Sequence, residues 1–191
     1  MNEEMLFVVP DNVEMRWANP ENPEGIKGDG GKSNFGRKGS PCRGMLKSGD
    51  VWTLAEAAGP GMIRKLWITM QDRSAAMLRG IVLRIYWDGA IKPAVEAPLG
   101  DFFCNPLGRN FIVNNAWFNN PEERNWNCNV PMPFRSACRI TVANEAPVDQ
   151  PSFWYQVDYT LGDRLPEGTC YFHAFYNREN PTTMRRDFQI L

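Results

Sequence analysis

From Val51 onward, apolar and polar residues alternate with a period of two in several short windows. Within 62–70, Leu66, Ile68 and Met70 share one face while Lys65, Trp67 and Thr69 take the other. Within 80–87, Ile81, Leu83, Ile85 and Trp87 oppose Val82, Arg84 and Tyr86. A period of two belongs to an extended strand with one face buried. Residues 139–144, 153–161 and 169–176 read as strands as well. In 153–161, Phe153, Tyr155, Val157, Tyr159 and Leu161 alternate with Trp154, Gln156, Asp158 and Thr160. Asp88-Gly89 signals a tight turn. No window holds a sustained apolar stripe of period 3.6, and no helix-length segment separates the strands. The pattern therefore predicts an all-β, antiparallel β-sandwich of jelly-roll type.

The N-terminal part differs. Residues 10–49 carry Pro10, Pro20, Pro23 and Pro41 and eight glycines from Gly25 to Gly49. Such punctuation predicts a long irregular arm (1–50) ahead of a single β domain (51–191), and a loop of that length is usually functional or laid across a partner. Within the arm, Gly25-Ile-Lys-Gly-Asp-Gly-Gly-Lys-Ser33 imitates a phosphate-binding loop. Gly25 is one residue too far from the Lys-Ser pair, and no buried strand precedes it. Between Asn105 and Asn129 lie nine asparagines, with Trp117, Phe118 and Trp126 among them. Asn favours turns, so this stretch reads as a long inter-strand loop whose aromatics either stack on sugar rings or plug one end of the sandwich.

Composition narrows the function classes. The 191 residues suit one domain, and 43% hydrophobic with 23% charged residues is an ordinary globular balance. Lys and Arg number 21 against 22 Asp and Glu, leaving no field to hold a polyanion, so no nucleic-acid partner is expected. Five scattered cysteines without a C-x-x-C pair speak against a zinc knuckle and for thiols in a reducing compartment. The apolar run from Met5 to Val9 is too short for a signal core, and no stretch is long enough to cross a membrane. A cytoplasmic protein without membrane contact, metal or cofactor is expected.

Catalytic signals are sparse. The lone histidine, His173, sits in a predicted strand without a G-x-S-x-G nucleophile motif, which favours a structural role over a triad. Glu96 and Asp101 are carboxyl candidates for glycoside chemistry, but five residues apart on an extended chain they face opposite ways unless Pro98 to Gly100 turn. Asp101 alone, ahead of Phe102 and Phe103, either holds a ligand hydroxyl or caps its own turn. Arg37, Lys38 and Arg43 form a basic group in the arm, suited to a phosphate or carboxylate or simply solvated.

Read together, a series of segments resembles one family. They are Arg16-Trp17, Glu21-Asn-Pro23, Gly36-Arg-Lys-Gly39, Gly59-Pro-Gly61 leading into Leu66-Trp-Ile-Thr69, and Leu83-Arg-Ile-Tyr-Trp-Asp-Gly89. Pro98-Leu-Gly-Asp-Phe-Phe103, Pro131-Met-Pro-Phe134, Tyr155-Gln-Val-Asp-Tyr159, Tyr171-Phe-His-Ala174 and Arg178-Glu-Asn-Pro181 follow in order. Order and spacing resemble the N-terminal half of glycoside hydrolase family 172. The match departs at Cys104, where the family usually has Gly, so a different loop geometry is expected there.

The resemblance implies a β-jelly-roll, two of them in tandem in typical members, and assembly into trimers or hexamers. It implies enzymes that act on α-linked fructofuranosides and D-arabinofuranosides with retention. Their two glutamates lie in the second jelly-roll, in segments resembling W-W-G-E-G-D and G-T-G-T-E-D-Y. Neither segment occurs in these 191 residues, so no catalytic residue carries over. The expectation is a module that self-associates or works with a second jelly-roll chain. Asp101, Phe102, Phe103, Trp17, Arg37 and Lys38 are its candidate contacts to a furanoside or a neighbour. The alternative is a structural, capsid-like self-assembling protein, since the family resembles double jelly-roll capsid proteins.

Overall fold

The computed structural model describes Val8, residues 10–32 and residues 41–189. In chain order the elements are β1 (Glu14–Ala18), β2 (Gly44–Leu46), β3 (Val51–Ala58), β4 (Gly61–Met70), α1 (Ala75–Gly80), β5 (Ile81–Trp87), β6 (Val95–Pro98) and α2 (Leu99–Phe102). A 3-10 turn at Pro106–Gly108 precedes β7 (Val113–Asn114), β8 (Phe118–Asn120), β9 (Trp126–Cys128), β10 (Met132–Phe134), β11 (Ala137–Asn144), β12 (Gln150–Leu161) and β13 (Ala174–Phe175).

These strands form two sheets packed as a sandwich. The larger has eight strands built on the long antiparallel pair β4 and β12, and the smaller runs β13-β6-β5-β11-β3. Both edges of the long pair are covered by short strands. β2 and β1 pair with opposite ends of β12, while β9 and β10 pair with β4. The inward residues of the predicted strands make the core: Leu66, Ile68 and Met70 from β4 and Phe153, Tyr155 and Val157 from β12 meet Leu83 and Ile85 of β5. Burial of such side chains contributes about 1.5–3 kcal/mol each. Arg64 is an extra residue opposite the step from Asp158 to Tyr159. That bulge lets Ile63 and Leu66, at an odd spacing, both point inward. The Asp88-Gly89 turn is also present, with φ of 53° and 74° and the Ala90 N–H donating to the Trp87 carbonyl.

Three parts depart from the sequence reading. The Gly/Pro-rich arm contributes strands β1 and β2, and its bend is tied by side chains. Asn19 Oδ1 accepts the N–H groups of Glu21 and Asn22, and the Asn22 amide makes paired hydrogen bonds with the Ile26 backbone. The Asn-rich stretch is no single loop but holds β7, β8 and β9, with asparagine turns between them. Of residues 169–176 only Ala174 and Phe175 form a strand, paired parallel to β6. The helical turns α1 and α2 close one end of the sandwich, where β5 begins and β6 ends. At six and four residues they are too short for a legible period.

Candidate functional site

Asp101 lies in α2. Pro98 ends β6 in an extended conformation and the chain turns helical at Leu99, which brings Asp101 against α1. There its Oδ2 stands 2.8 Å from Arg79 Nε, with the Asp101 side chain 15% exposed. Arg79 also donates through Nη1 to the Tyr176 hydroxyl, and its guanidinium lies over that ring at 5.3 Å. The contact to Asp101 is an ion pair, not an aligned hydrogen bond. Burial accordingly pushes the Asp101 carboxyl above the usual range, and the Arg79 charge offsets this only in part.

Glu96 of β6 faces its cross-strand partner Arg84 of β5, with Oε1 3.3 Å from Nη2. Arg84 Nη2 donates at 2.7 Å to Glu145 as well. Arg79, Arg84, Glu96, Glu145 and Tyr176 line a cleft of about 340 Å³ on the outer side of the smaller sheet. Its two carboxylates, Glu96 and Glu145, share one guanidinium, that of Arg84. Such an arrangement ties both acids to one neighbour and orders the surface.

The proposed cleft aromatics belong to the core. Phe103 is 1% exposed and stacks on Trp126 at 6.2 Å, and Phe102 meets Phe103, Phe118 and Phe172 edge-to-face at 5.0–6.4 Å. Apolar rings following a short helical turn gain more from this cluster than from water, so they form no cleft wall. Phe118 and Trp126 of the Asn-rich stretch join them as a plug, while Trp117 stays exposed. Trp17 does reach the surface from β1, beside Met15, Arg16 and Asp158, with Gly30 packed against its indole. Arg37 and Lys38 lie outside the described residues. The third member of that basic group, Arg43, is committed. It lies over Trp52 at 4.7 Å and donates to the Thr53 carbonyl at 2.6 Å and the Tyr155 hydroxyl at 3.3 Å.

His173 is exposed and shares a hollow of about 470 Å³ with Trp87, Asp88, Lys92 and Tyr171. Asp88, a turn residue by sequence, does more here. Its Oδ1 accepts the N–H groups of Arg135, Ser136 and Ala137, and its Oδ2 accepts the Tyr171 hydroxyl. Burial alone would raise this carboxyl, but the hydrogen bonds from Tyr171, Ser136 and Ala137 outweigh it and hold it below the usual range. All five cysteines are free, and burial pushes Cys128 and Cys138 up to about 12, so neither is a thiolate nucleophile. Among the described residues no group of three His, Cys, Asp or Glu is placed to hold a metal, and no helix is long and apolar enough to cross a membrane.

Comparison with known proteins agrees with this architecture. No curated protein matches the chain. The model of the GH172 first β-sandwich domain matches residues 19–168, a span that runs from the turn after β1 through β12 and takes in both sheets except β1 and β13. With most of its length and both layers of its core inside that match, the chain belongs to the GH172 family, through that family's first β-sandwich domain.

Proposed function

We propose that this sandwich is the non-catalytic half of a furanoside-processing glycoside hydrolase: it shapes the assembly and the cleft, and a second sandwich supplies the reacting carboxylates. The observation that supports this reading is the pairing of both acids singled out by sequence, Asp101 with Arg79 and Glu96 with Arg84. A retaining glycosidase needs two carboxyls about 5–5.5 Å apart across one bond, one of them free to attack. A carboxylate held in an ion pair is tied to its partner and is not free to attack.

The test is an assay of the purified chain on aryl fructofuranosides and arabinofuranosides and on difructose dianhydride. The chain alone is expected to release no sugar, and a chain carrying the family's second sandwich is expected to bring the activity. Turnover by the chain alone that disappears in Glu96→Gln or Asp101→Asn would overturn the reading. A structural, self-assembling role is the second reading, favoured by the exposed apolar side chains of Leu107, Phe111, Ile112 and Trp117 along one stretch beside β7.

A further inference from the structure

The outer face of the larger sheet carries residues that the core does not need. On β4 and β12, Leu66, Ile68, Met70, Phe153 and Tyr155 point inward and are buried. The residues between them point outward. Register places Thr69 opposite Trp154 and Trp67 opposite Gln156, so Trp67 and Trp154 are diagonal cross-strand neighbours, a relation that spans about 7–8 Å. Outer faces of antiparallel sheets are ordinarily polar. Two indoles here call for an explanation.

Both are half-buried and line one cleft of about 420 Å³ with Thr69, Met70, Gln71 and Arg73. Among the described residues, neither ring meets another ring or a cation, and neither indole N–H has an acceptor. Trp87, by contrast, donates to the Phe172 carbonyl at 2.8 Å. Gln71 bonds through its backbone N–H to the Ser152 carbonyl, and its side-chain amide is without a hydrogen bond among the described residues. Thr69 Oγ1 donates to the Arg124 carbonyl and Arg73 Nη1 to the Met70 carbonyl. Those bonds fix the two rim groups and leave the hydroxyl lone pairs and the remaining guanidinium N–H groups free.

We infer that Trp67 and Trp154 form an oligosaccharide-binding cleft on the outer face of the larger sheet. A sugar ring presents C–H groups on its faces, which suit the electron-rich face of an indole, and hydroxyls around its edge. The free indole N–H groups, the Gln71 amide, Thr69 and Arg73 stand where such an edge needs donors and acceptors. An apolar protein surface laid on the same cleft would bury those groups unpaired, at a cost. A phosphorylated ligand would meet one guanidinium, already donating to Met70. The cleft shares no lining residue with the one at Arg84 and Glu96, so the inference stands whether or not the module has a catalytic partner.

The experiment is a fluorescence and calorimetric titration of the full chain with two neutral probes, cellohexaose for pyranose chains and an inulin-type oligofructoside for furanose chains. Saturable binding of at least one probe is expected. Trp67→Ala and Trp154→Ala are each expected to weaken it by about tenfold or more, the loss typical of an aromatic anchor. Trp117→Ala is expected to leave it unchanged. Gln71→Ala, which leaves both strands intact, is expected to weaken binding severalfold and serves if a tryptophan variant does not fold. No binding of either probe at millimolar concentration overturns the inference, as does binding untouched by all three cleft variants. A change of oligomer mass in Trp67→Ala without any sugar binding by the wild type would mark the face as a protein interface and overturn it too.

Discussion

Cys104 shows what one residue can be asked to do. It follows Phe103 at the end of α2 and adopts φ of 61°, a left-handed conformation that costs a residue with a Cβ about 1–2 kcal/mol. This is the position where the resemblance to family 172 has glycine. A glycine in this conformation bears no such cost. Cys104→Gly is expected to stabilise the protein by about 1 kcal/mol, less the entropy glycine adds to the unfolded chain, as read from urea midpoints. A variant less stable than the wild type would show that the thiol makes compensating contacts. Asp101 illustrates the opposite lesson: residue type suggested chemistry, and the neighbour Arg79, 22 positions earlier in the chain, converted it to structure.

At the scale of elements, the connection from β10 to β11 is organised by a carboxylate from a different hairpin. Asp88, at the tip of the turn after β5, accepts the N–H groups of Arg135, Ser136 and Ala137 at 3.0, 2.7 and 3.1 Å. It thus clamps one inter-strand turn to another. Asp88→Asn keeps one acceptor oxygen but loses the charge, and a loss of about 2 kcal/mol at neutral pH is expected. The pH dependence has a definite sign. Because the folded carboxyl is held below its ordinary value, its contribution is complete above the unfolded aspartate value of about 3.9. It is lost as pH falls through the lowered folded value. The stability gap between wild type and Asp88→Asn should therefore narrow on acidification below about pH 4. A gap constant from neutral to acid pH would remove Asp88 from this role. Buried asparagines act similarly around Phe111. Asn105 Oδ1 accepts the Phe111 N–H at 2.7 Å, and Asn120 Nδ2 donates to the Phe111 carbonyl at 3.0 Å.

For the whole molecule, the asparagine contacts to Phe111 bear on the surface. Phe111, whose backbone these asparagines bind, and Ile112 stand 40% and 68% exposed next to the edge strand β7. Ordered apolar side chains beside an unpaired strand edge favour association. Light scattering at micromolar concentration is expected to give a mass above that of one chain, and Ile112→Asp to lower it. A monomer in both proteins would remove this stretch as an interface. Much of this molecule was legible in the order of its residues. The period-two windows from 62 to 161 became β4, β5, β11 and β12, because a strand's buried face is a local property that alternation reports directly. The Asp88-Gly89 turn followed for the same reason, and the family from the order and spacing of segments along most of the chain. The strands β1 and β2 were not legible because their partner, β12, lies far along the chain, and the short strands of the Asn-rich stretch because two or three residues show no period. The roles of Asp101, Phe102 and Phe103 were decided only by tertiary contact. Whether a carboxylate or a ring faces ligand or core depends on which distant side chain arrives beside it, here Arg79, Trp126 and Phe172.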